Sequence, residues 1–257
     1  MQFPQFKGKS ELETLTSPGA YLEYLKTRGA YPSNPAPSGI VMCYSRRLFD
    51  YIRENHKTTP GDGFAKFVHF LDESYGKIAV TKCFGIGAPT AVTVVEELIA
   101  WGVKSFISIG TAGTLQPSIS IGDIVLCERA IRDEGTSFHY IAPAKYAEAS
   151  KILTDKLEIQ LQMQNLRFFR GTSWTTDAPY RETIEEARAY QAEGITTVDM
   201  EAAALFSVGA FRNVEMSAMF SVSDSLAKLK WEPHFHNDKT MQSLEKIFQA
   251  AKCALSS

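Results

Sequence analysis

The sequence predicts an α/β fold in which helices cover both faces of a mixed sheet. Three observations carry that reading. Short β-rich apolar runs alternate along the chain with segments of helical periodicity. Twice, at 78–102 and at 39–54, a strand runs directly into a helix, the hallmark of a layered α/β pattern. The length of 257 residues is nearer one large domain than two. Residues 1–38 read as a peripheral arm and residues 39–257 as the domain.

The elements follow in order. A short amphipathic helix is expected over 21–27, followed by the turn-rich YPSNPAPS. GIVMC, from Gly39 to Cys43, is the first core strand, and Leu48, Phe49 and Ile52 then mark a helix over 46–54. Phe64 to Leu71 and Lys77 to Cys83 read as a hairpin. IAVTKCFGIGAPTAVTVVEELIAWG supplies a strand, Gly85 and Gly87, Pro89 in a first helical turn and a helix closing at Gly102. SFISIG is a strand, Gly110-Thr-Ala-Gly113 a glycine turn, and GDIVLCERAI the next strand. A long helix is expected over 143–163, a strand over 166–171, and helices over 181–193 and 199–212. A buried strand over 214–222 and a helix over 237–254 complete the chain.

Composition narrows the function classes. Twenty-seven basic against 29 acidic residues leave a net charge of −2, so no global field favours nucleic acid or an anionic membrane. The best apolar run, 88–103, is interrupted by Glu96 and Glu97 and is too short to span a bilayer. The N-terminus has neither the basic start nor the apolar stretch of a signal peptide, which points to the cytoplasm. Cys43, Cys83, Cys127 and Cys253 lack CxxC spacing and read as reduced thiols.

Several residues are candidates for chemistry. Gly85-Ile-Gly87 and Gly110 lie at strand ends, where backbone N–H groups approach a ligand; a tight turn without a ligand is the alternative. Thr90 replaces the third glycine of a dinucleotide fingerprint, and Phe3 occupies the first glycine position of a P-loop ending in Gly8-Lys9-Ser10, so both motifs are set aside. Glu201 shares a helical stripe with Ala204, Leu205 and Val208, so its carboxylate faces the apolar side and needs partners such as a sugar diol. A first-turn Glu complementing the helix dipole is the alternative. Asp224 follows an apolar strand, where a desolvated acid can donate a proton; an Asx-turn or cap is the alternative. Arg46-Arg47 suits a phosphate or the surface. His234 and His236 lack the partners of a metal set, and His139 reads as a scaffold residue.

Taken in order, FGIGAPT (84–90), SIGTAGTLQPSISIGDIV (108–125), EGTSFHYIAP (134–143), TTDAPY (175–180), VDMEAAALF (198–206) and SVSDSL (221–226) resemble the nucleoside phosphorylase and nucleosidase superfamily, in its uridine phosphorylase-like and hexameric purine nucleoside phosphorylase-like branches. The resemblance implies a single-domain three-layer α/β/α sandwich with a mixed, barrel-like central sheet, and a homo-oligomer. It assigns ribose to Met200 and Glu201, acid catalysis at the base to Asp224, and base contacts to Trp174, Thr175, Pro179, Tyr180 and Val198. It assigns phosphate to Cys43, Arg47, Ser108 and Thr111, with Gly87 and Gly110 as backbone turns. Inorganic phosphate is implied as co-substrate, with no metal or other cofactor.

The chain also departs from the pattern. Ser108 stands where the phosphorylase branches carry arginine, and Cys43 where they carry glycine. Arg181-Glu-Thr-Ile-Glu replaces the Gln-x-Arg clamp of uridine-specific members, and no arginine follows Arg212, leaving Lys228 or Lys230 as substitutes. The expectation is phosphorolysis of a nucleoside, purine ahead of uridine. Hydrolysis by water and non-catalytic nucleoside binding are the alternatives.

Overall fold

The GIVMC run forms β1 (Gly39–Cys43) in a computed structural model that describes residue 6, residues 8–82 and residues 84–257. The readings at Phe3 and Cys83 lie outside the described residues. All five β1 residues are buried, as a strand covered on both faces requires. The other strands are β2 (Thr58–Pro60), β3 (Val68–Leu71), β4 (Ile78–Thr81), β5 (Ser105–Thr114), β6 (Ile124–Asp133), β7 (Tyr146–Glu148), β8 (Phe168–Thr176), β9 (Thr197–Asp199), β10 (Glu215–Ser225) and β11 (Glu232–Pro233). They pair in the order β11-β10-β6-β8-β9-β5-β1-β4-β3-β2, with β7 added to β6. A further parallel pairing of β10 with β5 closes β5, β10, β6, β8 and β9 into a five-stranded mixed barrel.

Helices α1 (Pro18–Thr27), α2 (Arg46–Asn55), α3 (Ala88–Trp101), α4 (Lys151–Met163), α5 (Ile184–Ala192), α6 (Ala202–Arg212) and α7 (Asp238–Ser256) clothe this sheet. Alternate residues of the central strands feed two separate cores. Ile40, Met42 and Phe106 pack with α1, α3 and α6, whereas Val41, Ile107 and Ile109 pack with α2, α4 and α7. The layers are therefore helix, sheet and helix, as expected. Each fully buried large apolar side chain, such as Phe106 or Leu48, contributes about 1.5–3 kcal/mol. Leu22 and Leu25 of α1 belong to the first core, so this part of the arm packs on the domain. Among the described residues no helix is long and apolar enough to cross a membrane.

Several boundaries differ from the sequence reading, each for a tertiary reason. The helix expected over 143–163 begins only at Lys151, because Tyr146–Glu148 pairs with Arg129–Ile131 and Ser150 caps α4 by accepting the Leu153 N–H. Gly110–Gly113 is not a turn: it continues β5, paired with β10 and β9. The strand expected to end at Val222 runs through Asp224 to Ser225. The helix expected from Asp199 begins at Ala202, leaving Asp199 in β9 and Glu201 at the N-cap. Residues 63–65 form a 3-10 turn rather than strand, and a Thr183–Glu186 capping box opens α5 at Ile184 instead of 181. Among the described residues, Cys43, Cys127 and Cys253 form no disulfide.

One ion pair ties the two helices that frame the site. Arg212 of α6 donates from Nε and Nη2 to the two Glu96 oxygens of α3, both at 2.8 Å. Glu96 is only 8% exposed, so removing its partner strands a desolvated carboxylate. Arg212→Met is expected to lower unfolding free energy by about 2–4 kcal/mol in urea titrations at pH 7, whereas Arg170→Met at a more exposed surface network changes it by about 1 kcal/mol or less.

Candidate active site

The site begins with a buried carboxylate that the sequence reading did not single out. Asp199 ends β9 and is 5% exposed. Its Oδ2 accepts the backbone N–H groups of Glu201 at 2.8 Å and Ala202 at 2.7 Å, while its Oδ1 accepts the hydroxyls of Ser173 and Thr175, both at 2.8 Å. This is a displaced helix cap: the orphan N–H groups of α6 are satisfied two to three residues upstream. An aspartate just before an apolar helical run was the available signal. Burial pushes the Asp199 carboxyl upward, and the four donors oppose that push.

Glu201 is thereby presented to a cavity of about 520 Å³, within the range of small-molecule sites. Its Oε1 accepts the Gly87 N–H at 2.6 Å. Gly87 has φ +95°, a conformation that side chains resist, so the glycine of FGIGAPT is required for this contact. Desolvation first, and the nearby Asp199 charge second, raise the Glu201 carboxyl to about 7.

Asp224 closes the other end. A register shift between Val222 and Asp224 lets consecutive residues, Ser223 and Asp224, both reach the cavity. Asp224 is 8% exposed; its Oδ1 accepts the Ser223 hydroxyl at 2.7 Å and its Oδ2 the Trp231 indole N–H at 3.0 Å. It lies directly against β5: a Cβ at Gly113 would stand 2.9 Å from Asp224 Oδ2, so that glycine makes room for the acid.

Of the residues expected at the site, Ser108, Gly110, Thr111, Pro179, Tyr180, Val198, Met200, Glu201 and Asp224 line one cavity. Gly87 reaches it through its hydrogen bond to Glu201. The structure places four others elsewhere. Trp174 is 1% exposed, packs on Tyr190 and donates its indole N–H to Asp133, so it belongs to the barrel core. Thr175 is consumed in holding Asp199 and the Ala203 N–H. Cys43 is fully buried and is not part of the lining, its thiol on the Ser45 carbonyl. Arg47 points away, to Asp238 at 3.0 Å on the surface.

The structure adds residues that sequence reasoning missed. Tyr44 lines the cavity and its Oη accepts the Ser108 hydroxyl at 3.2 Å; burial and the Glu201 charge raise its phenol well above the ordinary range. Leu229, Trp231 and Phe235 line the mouth with Tyr180, which is 96% exposed. The aromatic pair in KLKWEPHFH, amid polar neighbours, was the available signal. Glu182 lines the same end as Asp224. Among the described residues the lining holds four carboxyl groups, from Glu182, Asp199, Glu201 and Asp224, and one basic side chain, Lys230. No group of three or more His, Cys, Asp or Glu among the described residues is arranged to hold a metal ion.

The raised Glu201 carboxyl has a consequence for stability. A carboxyl whose folded pKa lies above its unfolded value favours folding at low pH and loses that advantage as pH rises from about 4.5 through about 7. Glu201→Gln, which removes the charge and keeps an acceptor for Gly87, is expected to raise the melting temperature of the ligand-free protein at pH 8, by up to about 3 kcal/mol of stability. The difference should shrink to under about 1 kcal/mol at pH 5 and vanish below about pH 4. An equal effect at both pH values contradicts the desolvation account.

The model for the Phosphorylase superfamily matches residues 40–255. A DeoD-type purine nucleoside phosphorylase of Caldanaerobacter subterraneus subsp. tengcongensis is 31% identical over 179 residues, covering 67% of this chain and 75% of that protein. The crystal structure of uridine phosphorylase from Vibrio fischeri ES114 aligns with a TM-score of 0.70 at 26% identity, covering 86% of this chain and 91% of the other. AMP nucleosidase from Bacteroides thetaiotaomicron shares the fold, with a TM-score of 0.68 at 22% identity over 91% of this chain and 98% of the other. On its sequence, its closed mixed barrel and these likenesses, the chain belongs to the phosphorylase superfamily.

Proposed function

We propose that this chain cleaves the N-glycosidic bond of a nucleoside, with a purine as the leaving base, and transfers the ribosyl group to phosphate. One observation carries the reading: Glu201 and Asp224, from separate elements, converge on a single cavity from different sides. Ionised Glu201 has one oxygen on the Gly87 N–H and an acceptor capacity left over, which suits the two vicinal hydroxyls of ribose. Met200 and Val198 flank the sugar, and Pro179 and Tyr180 the base. As the bond breaks, positive charge grows on the ribose and negative charge on the base. The Glu201 carboxylate favours the first change, and the hydrogen-bonding groups at the Asp224 end favour the second. The likeness to phosphorylases in the comparisons supports phosphate as acceptor, held by the hydroxyls of Ser108 and Thr111.

A second reading, hydrolysis by water, is favoured by a specific observation. The lining near Ser108 has no cation among the described residues, since Arg47 is turned to Asp238 and the neutral Tyr44 phenol meets Ser108 instead. A phosphate dianion there lacks charge-assisted donors worth roughly 1.5–3 kcal/mol each, and it would sit beside acidic Glu201.

The assay is base release from adenosine, inosine, uridine and methylthioadenosine, each with and without phosphate. Phosphorolysis predicts purine release only with phosphate, yielding ribose 1-phosphate; hydrolysis predicts equal rates without it and free ribose. The 2′-deoxy analogue should lose about 10–100-fold in kcat/KM, the cost of one hydroxyl on the Glu201 carboxylate. Tight nucleoside binding with no base released under either condition overturns both readings.

A further inference from the structure

The Asp224 end of the cavity carries a rim of large apolar side chains supplied by two separate segments. The stretch after β10 brings Leu229, Trp231 and Phe235, and the turn into α5 brings Tyr180 and Ile184. Tyr180, Ile184, Trp231 and Phe235 each leave more than half of their surface exposed. Single exposed apolar residues are ordinary, but a group of them gathered on one cavity marks a ligand groove.

The rim is held in place. The Trp231 indole N–H donates to Asp224 Oδ2 at 3.0 Å, and the Phe235 ring packs on the indole with centroids 6.1 Å apart. Leu229 adopts φ +55°, a conformation that leucine resists, with its N–H donating to the Leu226 carbonyl at 2.8 Å. Backbone strain of this kind persists where the surroundings fix it, and it gathers at ligand clamps. In the other segment, Glu182 sits between Tyr180 and Ile184 in the chain. Burial first, then the Asp224 charge, push its carboxyl up to about 7, as befits an apolar setting beside the same acid.

We propose that this rim binds an apolar substituent on the base, so that the preferred substrates are purine nucleosides with a bulky alkyl or aryl group on the 6-amino nitrogen. The inference rests on the nucleoside reading and names the substrate class within it. With Glu201 on the sugar and Asp224 at the base end, the six-membered ring of a purine lies farthest from the ribose. A substituent at its 6-position then continues outward toward Trp231. The substituted amine keeps one N–H for an acceptor such as Asp224, while its alkyl or aryl group displaces water from the rings. Near Gly87, on the sugar side, the exposed large apolar side chain of the described lining is Ile86, so a 5′-substituent finds less to pack on.

The test offers adenosine, N6-benzyladenosine and 5′-benzylthio-5′-deoxyadenosine to wild type, Phe235→Ala and Ile184→Ser. Calorimetry gives affinities, and base release with phosphate present gives kcat/KM. Melting temperatures check that the variants fold, and light scattering gives their mass in solution. Wild type is expected to favour N6-benzyladenosine over adenosine by about tenfold or more, mainly through KM, and either variant should bring the two within about threefold. Equal wild-type affinities, or a gain on the 5′-benzylthio compound instead, overturn the assignment while leaving glycosidic cleavage intact. Variants that lose as much on adenosine as on N6-benzyladenosine, or that change the mass in solution, give the rim to the scaffold or to a second copy of the chain and also overturn it. Tighter binding of N6-benzyladenosine with no base released from any of the three supports the rim and overturns the cleavage reading.

Discussion

The whole site hangs from the Asp199 carboxylate. Four donors converge on it, two hydroxyls from β8 and two backbone N–H groups from the start of α6. A buried carboxylate with fewer donors would cost several kcal/mol, so this arrangement fixes how barrel and helix meet. It also fixes Glu201, one residue before α6, in the short stretch between β9 and α6 that is neither strand nor helix. The glycine-opened α3 then supplies a single N–H to Glu201 and leaves the remaining acceptor capacity for a ligand. The scaffold role and, under the proposed function, the ligand-binding role are thus divided between two acids separated by one residue.

Acidity dominates the cavity. With Glu182, Asp199, Glu201 and Asp224 facing one basic residue among the described lining, proton positions and ligand charge are coupled throughout. Binding a diol favours the ionised form of Glu201, because hydroxyls donate to charge. A neutral ligand adds no charge repulsion, whereas a dianion entering the cavity faces four carboxyl groups and one basic side chain among the described lining. Burial first, and then the same imbalance through the Asp224 charge, raise the Glu182 carboxyl to about 7.

Much of this was legible in the sequence because the relevant constraints are local. FGIGAPT announces a positive-φ glycine before a helix with proline in its first turn, and VDMEAAALF announces an acid ahead of an apolar helix. What escaped depends on contacts between distant parts of the chain. Closure of the barrel through β10 and β5 has no local periodicity, and it is what draws Gly110–Gly113 out of a turn and into a strand. Arg47 looked suited to phosphate beside the first strand, yet its partner, Asp238, lies 191 residues further on. Trp174 looked like a base-stacking ring, but an indole that finds Asp133 inside the barrel is stable in the core. Glu182 was noticed only as a missing clamp, since a turn residue acquires its environment from β10 and from the segment carrying Trp231.

The central claim is that one cavity presents Glu201 to a sugar and the Asp224 end to a base. Crystallography of the protein with a non-cleavable purine nucleoside tests it most directly. The account predicts both vicinal ribose hydroxyls within hydrogen-bond distance of Glu201, and the base edge against the Asp224 end of the cavity. A nucleoside bound in the reverse orientation, or outside this cavity with Glu201 still on Gly87 alone, contradicts it.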